Sequence, residues 1–190
     1  AVAENDEAAS HLKAPLDRGA CEIGAHLHPW CNPPYFGYSG EQESHVVNLP
    51  EEQVEAKLDT LIALLKQQFG VVPNAFRTGR WGIDGKVLRL LVKKGVTIDS
   101  SMYPFFSNEY FNCEDSIRSP YWPRFSDPEL ADSQRDILEF PVTVGFNHGN
   151  PELMLKLYKL ATKPLLRPLH LVGVMWHTRL LRKLYFSPEV

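Results

Sequence analysis

Four short apolar runs alternate with helical patterns along this chain, and three of the runs end in clusters of polar residues. Residues 21–26 lead into His26 and His28, and Ala75-Phe76-Arg77 leads into Thr78-Gly79-Arg80-Trp81-Gly82. Val96-Thr97-Ile98 ends at Asp99-Ser100-Ser101, and the fourth run covers 137–143. Strands that alternate with helices form βα units on a parallel sheet, either open or closed as a barrel. In such sheets the ligand-binding groups gather at the carboxyl ends of the strands. The recurrence of polar residues at those ends points to an enzyme.

The helices between the runs carry their own start and stop signals. Asn5 or Asp6 caps a helix to about Arg18, which Gly19 stops in a left-handed turn. Pro50-Glu51-Glu52 places proline and acids in a first turn. Val54, Leu58, Leu61, Ile62, Leu65 and Phe69 then follow on one face up to Gly70. Asp84 caps a helix that runs to Lys94 and Gly95, and Asn150-Pro151-Glu152 opens another. Residues 102–135 read as one long loop, rich in Pro, Ser, Asp and aromatics. Near the end, Leu171, Val174, Met175, Leu180, Leu181 and Leu184 suit a helix face; a strand ending at His177 is the alternative. His148 reads as a turn residue.

The most chemically specific stretch is Glu22-Ile23-Gly24-Ala25-His26-Leu27-His28-Pro29-Trp30. Side chains alternate faces along a strand, so His26 and His28 point the same way, while Ile23, Ala25 and Leu27 pack on the other face. Two imidazoles converging at a strand end begin a metal site, because neutral imidazole is a good zinc ligand. Cys31 offers a third ligand in His26-x-His28-x-x-Cys31; the plainer reading is a pair of histidines satisfied by local hydrogen bonds.

Composition narrows the partners. A net charge of -3 gives no electrostatic footprint for nucleic acid or an anionic membrane. The longest apolar run, Leu169 to Trp176, is far too short to span a bilayer. Three cysteines, with no CxxC spacing, argue against a disulfide framework and lean toward a cytoplasmic setting.

Taken in order, Glu22-Ile23-Gly24-Ala25-His26, Phe76-Arg77-Thr78-Gly79-Arg80-Trp81-Gly82 and Asp99-Ser100-Ser101 resemble the polysaccharide deacetylases of the NodB-homology group, and Leu138–Thr143 looks like that group's following strand. The resemblance implies a deformed (β/α) barrel, present in part over a single, incomplete domain spanning 1–190. It implies a divalent metal, most often zinc, and hydrolysis of acetyl groups from an N-acetylated glycan. His26 matches the group's first metal histidine. The usual second position, four residues on, holds Trp30, so His28 stands in for it. Arg77 matches the arginine that orients the base. Arg80, Trp81 and Asp99 become substrate-groove residues, and the base Asp and acid His fall outside this chain. The bland readings are Arg77 as a structural ion-pair partner, Trp81 as a lid over the core and Asp99 as a turn cap. A non-catalytic carbohydrate-binding domain of the same fold is the alternative function.

Overall fold

The computed structural model describes residues 2–146 and 150–177; the turn expected at His148 and the leucines beyond residue 177 lie outside them. The chain divides into two compact units, 1–142 and 143–190.

The first unit holds all the described strands. Helix α1 (Asp6–Asp17) begins where Asn5 accepts the Ala8 N–H, and Gly19 turns left-handed at φ 66° after it. Strand β1 (Ala25–Leu27) follows, and a loop with two 3₁₀ turns leads to α2 (Glu51–Phe69). Gly70 closes α2 in the left-handed region, as its position requires. Next come β2 (Ala75–Thr78), α3 (Gly85–Lys93), capped by the Asp84 carboxylate on Val87 N–H, and β3 (Ile98–Asp99).

The expected loop at 102–135 contains a hairpin instead: β4 (Pro123–Arg124) pairs antiparallel with β5 (Asp127–Ala131). Strand β6 (Leu138–Glu139) is shorter than the expected 137–143; the bond from Phe140 N–H to Asp99 O is its last to β3.

Strands β1, β2, β3 and β6 form one parallel sheet in that order. Among the described residues this sheet stays open and no barrel closes. Val54, Leu58, Leu61 and Leu65 of α2 share a core with Ala25, Leu27 and Phe76 of the sheet and Val87, Leu88 and Leu91 of α3. Each of the Val, Leu and Phe side chains among them contributes about 1.5–3 kcal/mol through burial. This core fixes β1 and β2 side by side, with Ala25, His26 and Leu27 opposite Phe76, Arg77 and Thr78.

In the second unit, α4 (Pro151–Ala161) starts where Asn150 accepts the Leu153 N–H, and α5 covers Leu171–His177. Over 171–177 the helical reading holds, and the strand ending at His177 does not form. No described helix is long and apolar enough to cross a membrane.

Candidate functional site

Alternation along β1 does what its spacing predicts. Ala25 and Leu27 are buried, and the imidazoles of His26 and His28 meet with ring centroids 4.6 Å apart and Nε2 atoms 2.8 Å apart. His26 Nδ1 lies 3.1 Å from the carbonyl of Arg77, its register partner on β2. A neutral His26 therefore donates through Nδ1 and leaves its Nε2 lone pair facing His28. His28 in turn donates Nε2–H to that lone pair, and its own Nδ1 is buried without a partner among the described residues.

Burial lowers the pKa of both histidines. The nearby charge of Arg77 adds to this for His26; for His28, His26 and Arg80 add to it. The pair therefore stays neutral at pH values where an exposed histidine begins to protonate, and a cation bound between the two Nε2 atoms would take the place of the hydrogen that now joins them.

Two features of the surrounding chain hold His28 in place. Asn32 Oδ1 accepts the His28 N–H at 2.8 Å, and the Trp30 ring stands edge-on to the imidazole at 4.4 Å. A Cβ on Gly79 would sit 2.4 Å from His28 Nδ1, so only glycine leaves room for this ring. The loop beyond is pinned from beneath by Lys57, whose buried Nζ donates to the carbonyls of Pro29, Asn32 and Pro34 at 2.9, 2.7 and 2.6 Å. Lys57 sits three positions after Val54 on the buried face of α2, and a lysine on an apolar stripe was the one signal of this role.

The remaining expected residues divide. Arg77 is exposed beside the pair; its guanidinium donates to Ser100 O at 2.9 Å and Ser100 Oγ at 2.7 Å, and lies over the Trp81 ring. Trp81, at φ 60°, leans against Tyr103. Arg80 bonds Glu41 and lies over the Trp30 ring. Cys31 lines the same cavity of about 370 Å³ as His26 and His28. It does not join them in a ligand set: among the described residues no group of three or more His, Cys, Asp and Glu side chains could hold a metal ion. All three cysteines are free.

Asp99 is not a groove residue. It is fully buried, because β3 runs between β2 and β6 and its side chain enters the interior beside its register partner Glu139. Asp99 Oδ1 accepts the Ser101 hydroxyl at 2.7 Å, and Glu139 Oε1 accepts the Met102 N–H at 3.1 Å. The other two oxygens, Asp99 Oδ2 and Glu139 Oε2, are buried with no further partner among the described residues. A single proton shared between the carboxyls satisfies both. Burial, together with the Asp99 charge, raises Glu139 well above the usual carboxylate range, so the proton resides there.

Because the folded state keeps this proton after the unfolded chain has released its own near pH 4.5, the pair's stabilisation is complete below that value. It is lost as pH rises through the folded pKa, at up to about 1.4 kcal/mol per pH unit. Glu139→Gln keeps the acceptor for Met102 and donates an amide N–H to Asp99. Thermal unfolding from pH 5 to 9 is expected to show the variant gaining on the native chain as pH rises; parallel curves would refute the shared proton.

No family model matches the chain, and no curated protein sequence matches it. Among solved structures it is similar to a Mycobacterium smegmatis protein named as a polysaccharide deacetylase, at 21% identity and a TM-score of 0.46. That alignment covers 74% of this chain and 36% of the other, so the chain spans about a third of that protein's length. What the fold and the site define by themselves is an open parallel α/β domain with a histidine pair at the carboxyl end of its edge strand.

Proposed function

We propose that this chain carries the histidine part of the metal site of a hydrolase that removes acetyl groups from acetamido sugars of a glycan. The supporting observation is the convergence of His26 and His28 through Nε2 at the carboxyl end of β1, with His26 Nδ1 committed to the Arg77 carbonyl. The pair fits two ligands of a divalent cation, and the ordered motifs around it resemble the deacetylase pattern. Bound zinc would supply a water of lowered pKa and polarise the acetamide carbonyl. The chain's own residues add to this: Arg77 places a fixed positive charge beside the pair, suited to keeping a base carboxylate ionised. Trp81 and Trp30 offer ring faces to a sugar, and Arg80 a hydrogen-bond donor to its hydroxyls.

Zinc titration of the full chain by calorimetry, with acetate release from an N-acetylglucosamine polymer as the second readout, tests this. His26→Ala is expected to weaken zinc binding by at least about tenfold, the lower end of what disturbing a metal site costs. Undiminished zinc binding in that variant overturns the assignment.

One observation favours the second reading, a carbohydrate-binding domain without chemistry. Trp30, Tyr35, Phe36 and Tyr38 are exposed around a cavity of about 270 Å³. On that reading glycan binding is unaffected by a chelator.

A further inference from the structure

Charge is divided unevenly along the chain. Residues 143–190, the second compact unit, carry seven Lys and Arg against two Glu, a net charge of +5. Residues 1–142 therefore carry -8, and the overall -3 conceals a basic end. Such asymmetry between two parts of a chain points to an anionic partner for the basic one. The same segment leaves leucines in solvent. Leu153, Leu157 and Leu160 recur at the spacing of one helix face on α4, and all three are exposed. Ala161 is buried on another face of that helix, where Met154 and Tyr158 are half-buried. The exposed apolar line continues past the helix end through Leu165, at 87%, and Leu169, at 57%, to Val174 on α5. Among these leucines stand Lys156 in α4 and Lys163 and Arg167 in the turns after it, all exposed. No ion pair among the described residues joins any of the three to an acid.

We propose that the segment from α4 through α5 docks on the surface of an anionic lipid bilayer. Its leucines enter the boundary of the acyl chains, and Lys156, Lys163 and Arg167 meet the headgroup phosphates. Two observations together select this partner. The basic side chains are spread over a helix and the turns beyond it, and a headgroup layer offers negative charge everywhere rather than at one fixed point. The exposed leucines lie among those charges, and a bilayer has an apolar layer directly beneath its charged one. Nucleic acid offers the charge without an apolar layer to receive the leucines. At 11 residues α4 is too short to cross the bilayer, so it lies in the interface. The acidic residues 1–142 oppose the approach, so the attraction acts locally, within a screening length of about 8–10 Å. The footprint that the whole-chain charge does not show is therefore present on one segment. This surface is independent of the histidine pair and of the chemistry proposed for it.

The test is co-sedimentation of the full chain with phosphatidylcholine vesicles, with and without phosphatidylglycerol. The native chain is expected to sediment with the anionic vesicles, to be released by salt, and to bind the neutral vesicles more weakly. Lys156→Gln combined with Lys163→Gln is expected to lower affinity for the anionic vesicles roughly twentyfold, at about fivefold for each basic side chain near the surface. Leu160→Ser combined with Leu165→Ser is expected to lower it by at least about tenfold, through the apolar area no longer buried. All four side chains are exposed, so both variants are expected to keep the native circular dichroism spectrum. A native chain that does not bind anionic vesicles overturns the proposal, and so does undiminished binding in either variant. Self-association of the native chain that the leucine variant abolishes, without vesicle binding, assigns the face to a second copy and overturns it as well.

Discussion

Gly85→Ala is expected to cost at least about 4 kcal/mol of stability, the range reserved for substitutions with a defined structural clash. Gly85 opens α3, and a Cβ there would lie 1.6 Å from the carbonyl oxygen of Phe125 and 2.7 Å from its carbon. Both are backbone atoms in the turn between β4 and β5, so no rotamer change relieves the overlap. Neither side can retreat cheaply. The start of α3 is held by the Asp84 cap and by Val87 and Leu88, both wholly buried. The hairpin is tied back by Gln134, whose amide donates to Pro123 O and Ile137 O, each at 2.9 Å. For a chain of this length the cost corresponds to a fall in Tm of roughly 8–16 °C. Gly95→Ala is the control: at φ 81° with nothing within 4 Å of its would-be Cβ, it carries only the left-handed strain of about 1–2 kcal/mol. Equal melting temperatures for the two variants would show that the hairpin does not seat on α3.

On the metal site proposed above, Gly79→Ala is expected to weaken zinc binding steeply while leaving the helices intact. The backbone at Gly79 is outside the left-handed region, so alanine is conformationally acceptable there. The obstacle is the His28 ring, with Nδ1, Cγ and Cε1 at 2.4, 2.5 and 2.6 Å from the new carbon. The ring has to swing away, and the 2.8 Å approach of the two Nε2 atoms is lost with it. Zinc affinity is expected to fall by a hundredfold or more, because a displaced ligand is worse than a misoriented one. The double variant His28→Ala with Gly79→Ala separates packing from ligation. Stability lost in Gly79→Ala should return once the ring is gone, whereas zinc binding should not. Native zinc affinity in Gly79→Ala would exclude His28 as a ligand.

Much of the local structure was legible residue by residue. Asn5, Asp84 and Asn150 cap α1, α3 and α4 through their side chains, Gly19 takes the left-handed turn assigned to it, and Gly70 ends α2 where expected. The helix through Val54, Leu58, Leu61 and Leu65 buries that face. The alternation placing His26 and His28 together is a property of any strand. The hairpin was not legible: Asp127-Pro128-Glu129-Leu130-Ala131 lacks the alternation of a half-buried strand and pairs with only two residues. Nor was the burial of Asp99, which sat at a strand end as His26 and His28 do.

The amino-acid sequence by itself determined where the helices begin and end, that the short strands between them run parallel, and that two imidazoles share one side of β1. These follow from interactions within a few residues, which spacing and side-chain type specify directly. Only the tertiary structure decided that Asp99 faces Glu139, that Ser101 reaches the Thr78 N–H, that Gly79 makes room for His28, and that Lys57 holds three loop carbonyls. Each depends on strand order and register between segments about 20 to 50 residues apart, which the packing of α2 and α3 against the sheet sets and no local pattern encodes.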